Sequence, residues 1–213
     1  MTLRTPKRPK ARASPANHAW FVDEVQALAR ALKKEGSVVW QFGKPLSDAA
    51  MGAVLNEASG VLPAALRDLA RAFNGASFSW KWKKEGGTQA HGRLEIPTLE
   101  RALTLRANAP AEFGLSWPLV VDTSHADLVA VTDGEDLGLF LFDRDEGYWL
   151  ADGLELDDVL RAALDRLALP GWELALNQSD LLPEGAADEL EACNETAVRV
   201  REALGLPIPD SLR

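Results

Sequence analysis

Three histidines, one cysteine and a scatter of adjacent carboxylates are the side chains in this 213-residue chain that could do acid–base, metal or nucleophilic chemistry. His18, His91 and His125 fall in a tail, a turn and a loop. No two share a metal-ligand spacing such as i, i+4 on a helix, so each reads as a surface or capping histidine. Cys193 stands between Glu191 and Glu195. Neighbouring acids raise a thiol pKa, which makes it a buried structural thiol rather than a nucleophile. As the only cysteine it has no internal disulfide partner, in keeping with a reducing, cytoplasmic setting. Asp143-Arg144-Asp145-Glu146-Gly147 resembles the start of a calcium loop, but its fifth and twelfth positions hold Gly147 and Leu154 where oxygen ligands are required. Asp157-Asp158 could suggest paired acid–base groups, yet they open a helical stripe, where carboxylates complement exposed N–H groups. There is no Gly-x-Ser-x-Gly elbow and no phosphate loop. The expectation is a non-enzymatic chain without cofactor or metal. An enzyme using clustered carboxylates and a metal is the rival.

Charge is the stronger signal. The net charge is −9. Residues 1–16 carry Arg4, Lys7, Arg8, Lys10 and Arg12, no acid, and three prolines, and are expected to form a basic mobile tail. The Arg-rich, acid-free start also fits an organelle transit peptide. Setting those five positive charges aside leaves −14 on residues 21–213. From Asp122 to Asp158 twelve acids face one base, Arg144, and Asp180–Glu195 adds six acids and no base. Either the partner is basic or the acid keeps the chain soluble. Such a body repels phosphate, so it is not expected to bind nucleic acid directly. No run approaches the roughly 18 apolar residues of a membrane span, so no membrane partner is expected.

The elements that would position these groups follow from periodicity. Phe21, Val25, Leu28 and Leu32 form one helical stripe, with Gly36 as its stop. Residues 37–42 are β-rich, and Ser47 is placed to cap a helix bearing Met51, Val54, Leu55 and Ala58. Pro63 suits a helical first turn, Leu66, Leu69, Ala70 and Phe73 make its buried stripe, and Gly75 its left-handed cap. Phe78, Trp80 and Trp82 alternate with Ser79, Lys81 and Lys83, a strand with one aromatic face. Core packing is the default for that face. An open aromatic anchor is the alternative. Residues 92–96 pair back, and 99–106 form a short helix. Leu119–Asp122, Asp127–Thr132, Leu137–Phe142 and Tyr148–Ala151 read as four strands whose hairpin-length turns impose antiparallel pairing. Leu156, Val159, Leu160, Ala163, Leu164 and Leu167 form the next helix, stopped by Leu169-Pro170-Gly171. Leu190, Ala197, Val200 and Leu204 mark a last long one. The expected fold is α+β, an antiparallel meander sheet with helices against one side, as a single domain over 17–213 with a C-terminal helical extension from about 170.

Several of these features together resemble the SUKH superfamily, the Smi/Knr-like domains. They are Leu62-Pro63 opening a helix, Leu66 and Phe73 within it and Asn74-Gly75 closing it. Trp117-Pro118 then leads a strand, followed by Asp127-Leu128-Val129-Ala130, the Leu139-Phe140-Leu141-Phe142 strand with its acidic hairpin, and the helix after Leu154. The resemblance covers roughly residues 47–168. It implies an α+β fold without shared catalytic apparatus, and for bacterial members an immunity protein that binds and blocks a cognate polymorphic toxin, often a nuclease or deaminase. Binding residues vary among members, so none carries over by position. From the charge, Asp133, Glu135, Asp136, Asp143, Asp145 and Glu146 are expected to pair with lysines and arginines of a basic toxin, with Tyr148 or Trp149 as an aromatic anchor. A regulatory adaptor of the same fold, with a non-toxin client and the basic tail as docking arm, is the alternative.

Overall fold

The computed structural model describes residues 18–56, 62–83, 89–106, 116–120, 126–133, 136–143, 147–151, 154–176 and 185–213. Their order is α1 (Ala19–Leu32), β1 (Gly36–Phe42), α2 (Asp48–Asn56), α3 (Ala64–Ala72), β2 (Ala76–Lys83), β3 (Gln89–Ile96), α4 (Leu99–Arg106), β4 (Ser116–Val120), β5 (Ala126–Asp133), β6 (Asp136–Asp143), β7 (Gly147–Ala151), α5 (Leu156–Asp165) and α6 (Ala186–Leu204). Short 3-10 turns at Trp172–Leu176 and Asp210–Leu212 flank α6. The fold is α+β. Its described strands are all antiparallel and divide into two sheets, β1-β2-β3 and β4-β5-β6-β7. Among the described residues no helix is long and apolar enough to cross a membrane.

The periodicity places the faces correctly. Phe21, Val25, Leu28 and Leu32 of α1 are buried, together with Ala29. In β2 burial alternates strictly, with Phe78, Trp80 and Trp82 each at most 3% exposed. The aromatic face of β2 is therefore core and not an open anchor. Ser47 caps α2 by accepting from the Ala50 N–H at 3.2 Å. These residues join Leu156, Val159, Leu160, Ala163 and Leu164 of α5, and Cys193, Ala197 and Val200 of α6, in one buried cluster.

Three helix stops differ from expectation. α1 leaves its helix at Lys33 through two tight turns, and Gly36 instead opens β1. α3 ends because Phe73 is fully extended (φ −162°), where it stacks on Phe21 with ring centroids 5.5 Å apart. Gly75 does take a left-handed φ of +86°, but two residues later, in the turn into β2 rather than as a helix cap. α5 stops at Asp165, before Leu169-Pro170-Gly171, because Leu167 and Ala168 take left-handed φ values of 58° and 52°. Each such non-glycine residue costs roughly 1–2 kcal/mol. What holds them is a pair of hydrogen bonds to the first sheet. Trp80 Nε1 donates to the Leu167 carbonyl at 2.7 Å and the Arg93 N–H donates to the Ala168 carbonyl at 2.8 Å. The turn after α5 thus caps the outer edge of β3.

Candidate functional site

The expected acidic surface belongs to the β4–β7 meander. Register pairs Asp133 directly with Asp136 at the close of the β5–β6 hairpin. Asp143 pairs with Gly147 at the close of the β6–β7 hairpin and with Ala126 on its other side. Tyr148 pairs with Phe142 and Trp149 with Leu141 in the β6–β7 ladder. Glu135, Asp145 and Glu146 lie outside the described residues. The structure therefore brings Asp133 and Asp136 together and sets Asp143 at the far end of the eight-residue β6. At about 3.3 Å per residue that separation is roughly 23 Å. Two acidic poles flank one strand.

The meander is anchored through β4. Trp117, Leu119 and Val120 are each 1% exposed, and the register shifts between Pro118 and Val120 where proline cannot donate to the ladder. α4 packs on β4, and α4 is itself capped from a distance. The Asn74 side chain accepts from the Leu99 N–H at 2.8 Å and donates to Glu100 Oε2 at 3.0 Å. Asn74, expected to close α3, instead caps the helix 25 residues on. Burial works to raise the Glu100 pKa, but hydrogen bonds from its own backbone, Asn74 and Thr98 outweigh it and hold the carboxyl below its ordinary range.

Most residues that could do chemistry have structural partners. His18, expected as a surface or capping histidine, stands at the N-cap of α1 and is fully buried. Its Nδ1 lies 2.9 Å from Asp157 Oδ1, which also accepts from Trp20 Nε1 at 3.3 Å. Arg161 stacks over the Trp20 ring, 4.2 Å from its centroid. Asp157 thereby fastens the start of α1 to the start of α5. Its neighbour Asp158 caps α5, accepting from the Glu155 N–H at 2.8 Å. The adjacent carboxylates face different tasks and do not converge. His91 is exposed on β3 rather than in a turn, and His125 lies outside the described residues.

Cys193 is buried, and desolvation pushes its thiol up to about 12 against a smaller opposing pull from Arg166. The acids that add to the rise are Glu173 and Glu189, not the sequence neighbours. Arg201 is 9% exposed and donates to the carbonyls of Leu164 (2.8 Å), Asp165 (2.9 Å) and Pro207 (2.9 Å). It closes the carboxyl end of α5, and desolvation lowers its pKa. Sequence reasoning missed His18, Asn74 and Arg201. Arg201 alone had a readable signal, since it continues the Ala197–Leu204 stripe one turn after Ala197.

The outer face of the first sheet has the opposite character. Lys81, Lys83, His91 and Arg93 lie on it, and Arg93 pairs with Glu95 at 2.9 Å. A shallow depression of about 570 Å³ is lined by Glu35, Ser37, Lys81, Lys83, Gln89 and His91. Among the described residues no three of His, Cys, Asp or Glu converge as a metal site would require. No family model, curated protein or solved structure matches this chain.

Proposed function

We propose that this chain is a non-enzymatic, SUKH-like immunity protein of the cytoplasm that binds and neutralises a cognate basic toxin acting on nucleic acid. The observation that carries the reading is the segregation of charge. Eight acids against one base lie from Asp122 to Glu146, in the stretch of chain that carries β5 and β6 and whose register opposes Asp133 to Asp136. An enzyme that handles nucleic acid needs a positively charged cleft. Asp133, Glu135 and Asp136 would engage one side, and Asp143, Asp145 and Glu146 the other. Tyr148 or Trp149 would supply the desolvated aromatic contact in which binding energy concentrates.

The test is co-expression with the toxic domain encoded by the neighbouring gene, followed by a pull-down and kinetics at two salt concentrations. Rescue of growth, capture, and an association rate that falls steeply with salt are expected. Asp133→Lys/Asp136→Lys should slow association at least about tenfold and leave the fold intact. Capture with a salt-insensitive association rate, or a charge-reversed variant that still associates normally, would refute the acidic surface. Absence of any adjacent toxin together with failure to rescue would refute the immunity role and favour the adaptor.

A further inference from the structure

We infer that this chain self-associates through strand β1, which pairs antiparallel with β1 of a second copy across a twofold axis at Val39. Among the residues whose side-chain burial is described, two large apolar side chains are markedly exposed, Val39 at 66% and Trp40 at 36%, and they are adjacent on β1. β1 is one edge of the first sheet. The opposite edge, β3, is capped where the Arg93 N–H meets the Ala168 carbonyl. Nothing among the described residues pairs with the outer edge of β1. Edge strands are ordinarily protected by a charge, a proline or a bulge. The sequence Gly-Ser-Val-Val-Trp-Gln-Phe has neither charge nor proline, and its pairing with β2 runs from Gly36↔Trp82 to Phe42↔Ala76 without a shift. It is an unbulged, neutral edge of seven residues.

The strand is complementary to itself. A twofold axis perpendicular to the sheet keeps the two open faces on the same side. Opposed residues must then share a face, which centres the pairing on a residue. With Val39 at the axis, Val39 opposes Val39, Val38 opposes Trp40 and Ser37 opposes Gln41. Apolar groups thus meet apolar groups, and polar ones meet polar. The charges just beyond the two strand ends are Lys34 and Glu35 on one side and Lys44 on the other. With Val39 at the axis Glu35 opposes Gly43 and Lys34 opposes Lys44, so the strand ends add no charge attraction and the pairing rests on the backbone ladder and the apolar pairs. A basic toxin does not fit this edge, because Lys81 and Lys83 stand on the adjacent strand. The result is a continuous six-stranded sheet. The area covered is modest, so the dimer is expected to be in micromolar equilibrium with monomer.

Mass measurement by light scattering on the full chain, from about 5 to 500 μM, tests the inference. The expected result is a shift from 23.1 kDa toward twice that value as concentration rises. Val39→Lys should stay at the monomer mass, with an unchanged circular dichroism spectrum and melting temperature because its side chain is solvent-facing. Register is read by oxidation. Val39→Cys places two thiols directly opposite, with Cα atoms about 4.5–5.5 Å apart, within disulfide reach. Gln41→Cys places its thiols roughly 13 Å apart and should not cross-link. The native Cys193 is buried and does not compete. A wild-type chain monomeric throughout, Val39→Lys dimerising like wild type, or cross-linking by Gln41→Cys but not Val39→Cys would each overturn the inference. A wild-type monomer that captures a polyglutamate peptide through this face would show an acidic partner in its place.

Discussion

Replacing Gly92 with alanine should uncouple the turn after α5 from the first sheet. A Cβ at position 92 would stand 2.3 Å from the Leu167 carbonyl oxygen and 2.4 Å from Trp80 Nε1. Those two atoms are the partners of the 2.7 Å hydrogen bond that fastens the turn. Both neighbours are fixed, one by backbone and the other by the buried face of β2, so relief requires the turn to move outward. That movement stretches the Trp80 bond and the Arg93–Ala168 bond together. Overpacking costs about 1–3 kcal/mol, and a buried indole N–H left without its acceptor about 1–3 kcal/mol more. A loss of about 4 kcal/mol follows, which for a chain of this length lowers Tm by about 8–16 °C. Urea unfolding followed by tryptophan fluorescence and far-ultraviolet circular dichroism measures it. A double-mutant cycle isolates the contact. With Trp80→Phe the indole nitrogen is gone, so Gly92→Ala should cost less in that background than in wild type. A loss under about 1 kcal/mol, or strict additivity in the cycle, would refute the close-approach argument.

Three further outcomes follow from the buried polar groups. Arg201→Lys keeps the charge but cannot reach three carbonyls at once, so it should cost about 3 kcal/mol in chemical denaturation, and Arg201→Met no less. His18→Ala removes a fully buried ring and leaves Asp157 without its 2.9 Å partner, and should cost about 2–3 kcal/mol in thermal or urea unfolding. The folded-state pKa of Glu100 is lowered. Its contribution is therefore present above the ordinary carboxylate pKa and lost as pH falls through the lower folded value. Asn74→Ala should flatten stability against pH on that acid limb and cost about 1–2 kcal/mol at neutral pH through the lost cap of α4.

The sequence made the faces legible and left the neighbours hidden. Phe21, Val25, Leu28 and Leu32 had to share a helix face whatever they packed against, and Phe78, Trp80 and Trp82 had to share a strand face. Hairpin-length turns after Asp133 and Asp143 likewise left antiparallel pairing as the one solution. Which strands would join was a different question. Period two reports the side a residue faces, not the strand beside it, so the division into two sheets was not readable. The long-range polar bonds were equally closed to inspection. His18 reaches Asp157 across 139 residues and Trp80 reaches Leu167 across 87. Asn74-Gly75 illustrates the ambiguity of local signals, because the pair fits the end of one helix and actually caps the start of another. Gly92 looked like an ordinary strand residue. The Leu167 carbonyl and the Trp80 indole lying against it explain the missing side chain.

The division into two sheets also decides how the two proposed surfaces would work together. The acidic meander is β4–β7, whereas the neutral edge is β1, in the other hydrogen-bonded sheet, beside Lys81 and Lys83. Pairing at β1 would consume no carboxylate of the meander, so a dimer would offer two acidic surfaces. Salt is expected to act on them differently. Toxin capture draws on opposed charges and weakens as the Debye length shrinks from about 10 Å at 0.1 M to 3 Å at 1 M. Strand pairing at Val39 draws on backbone hydrogen bonds and apolar contact, which screening leaves nearly unchanged. In 1 M salt the chain should therefore remain dimeric while association with a basic partner slows. If both equilibria shift with salt in parallel, the two surfaces are electrostatically coupled, and the assignment of separate tasks to the two sheets fails.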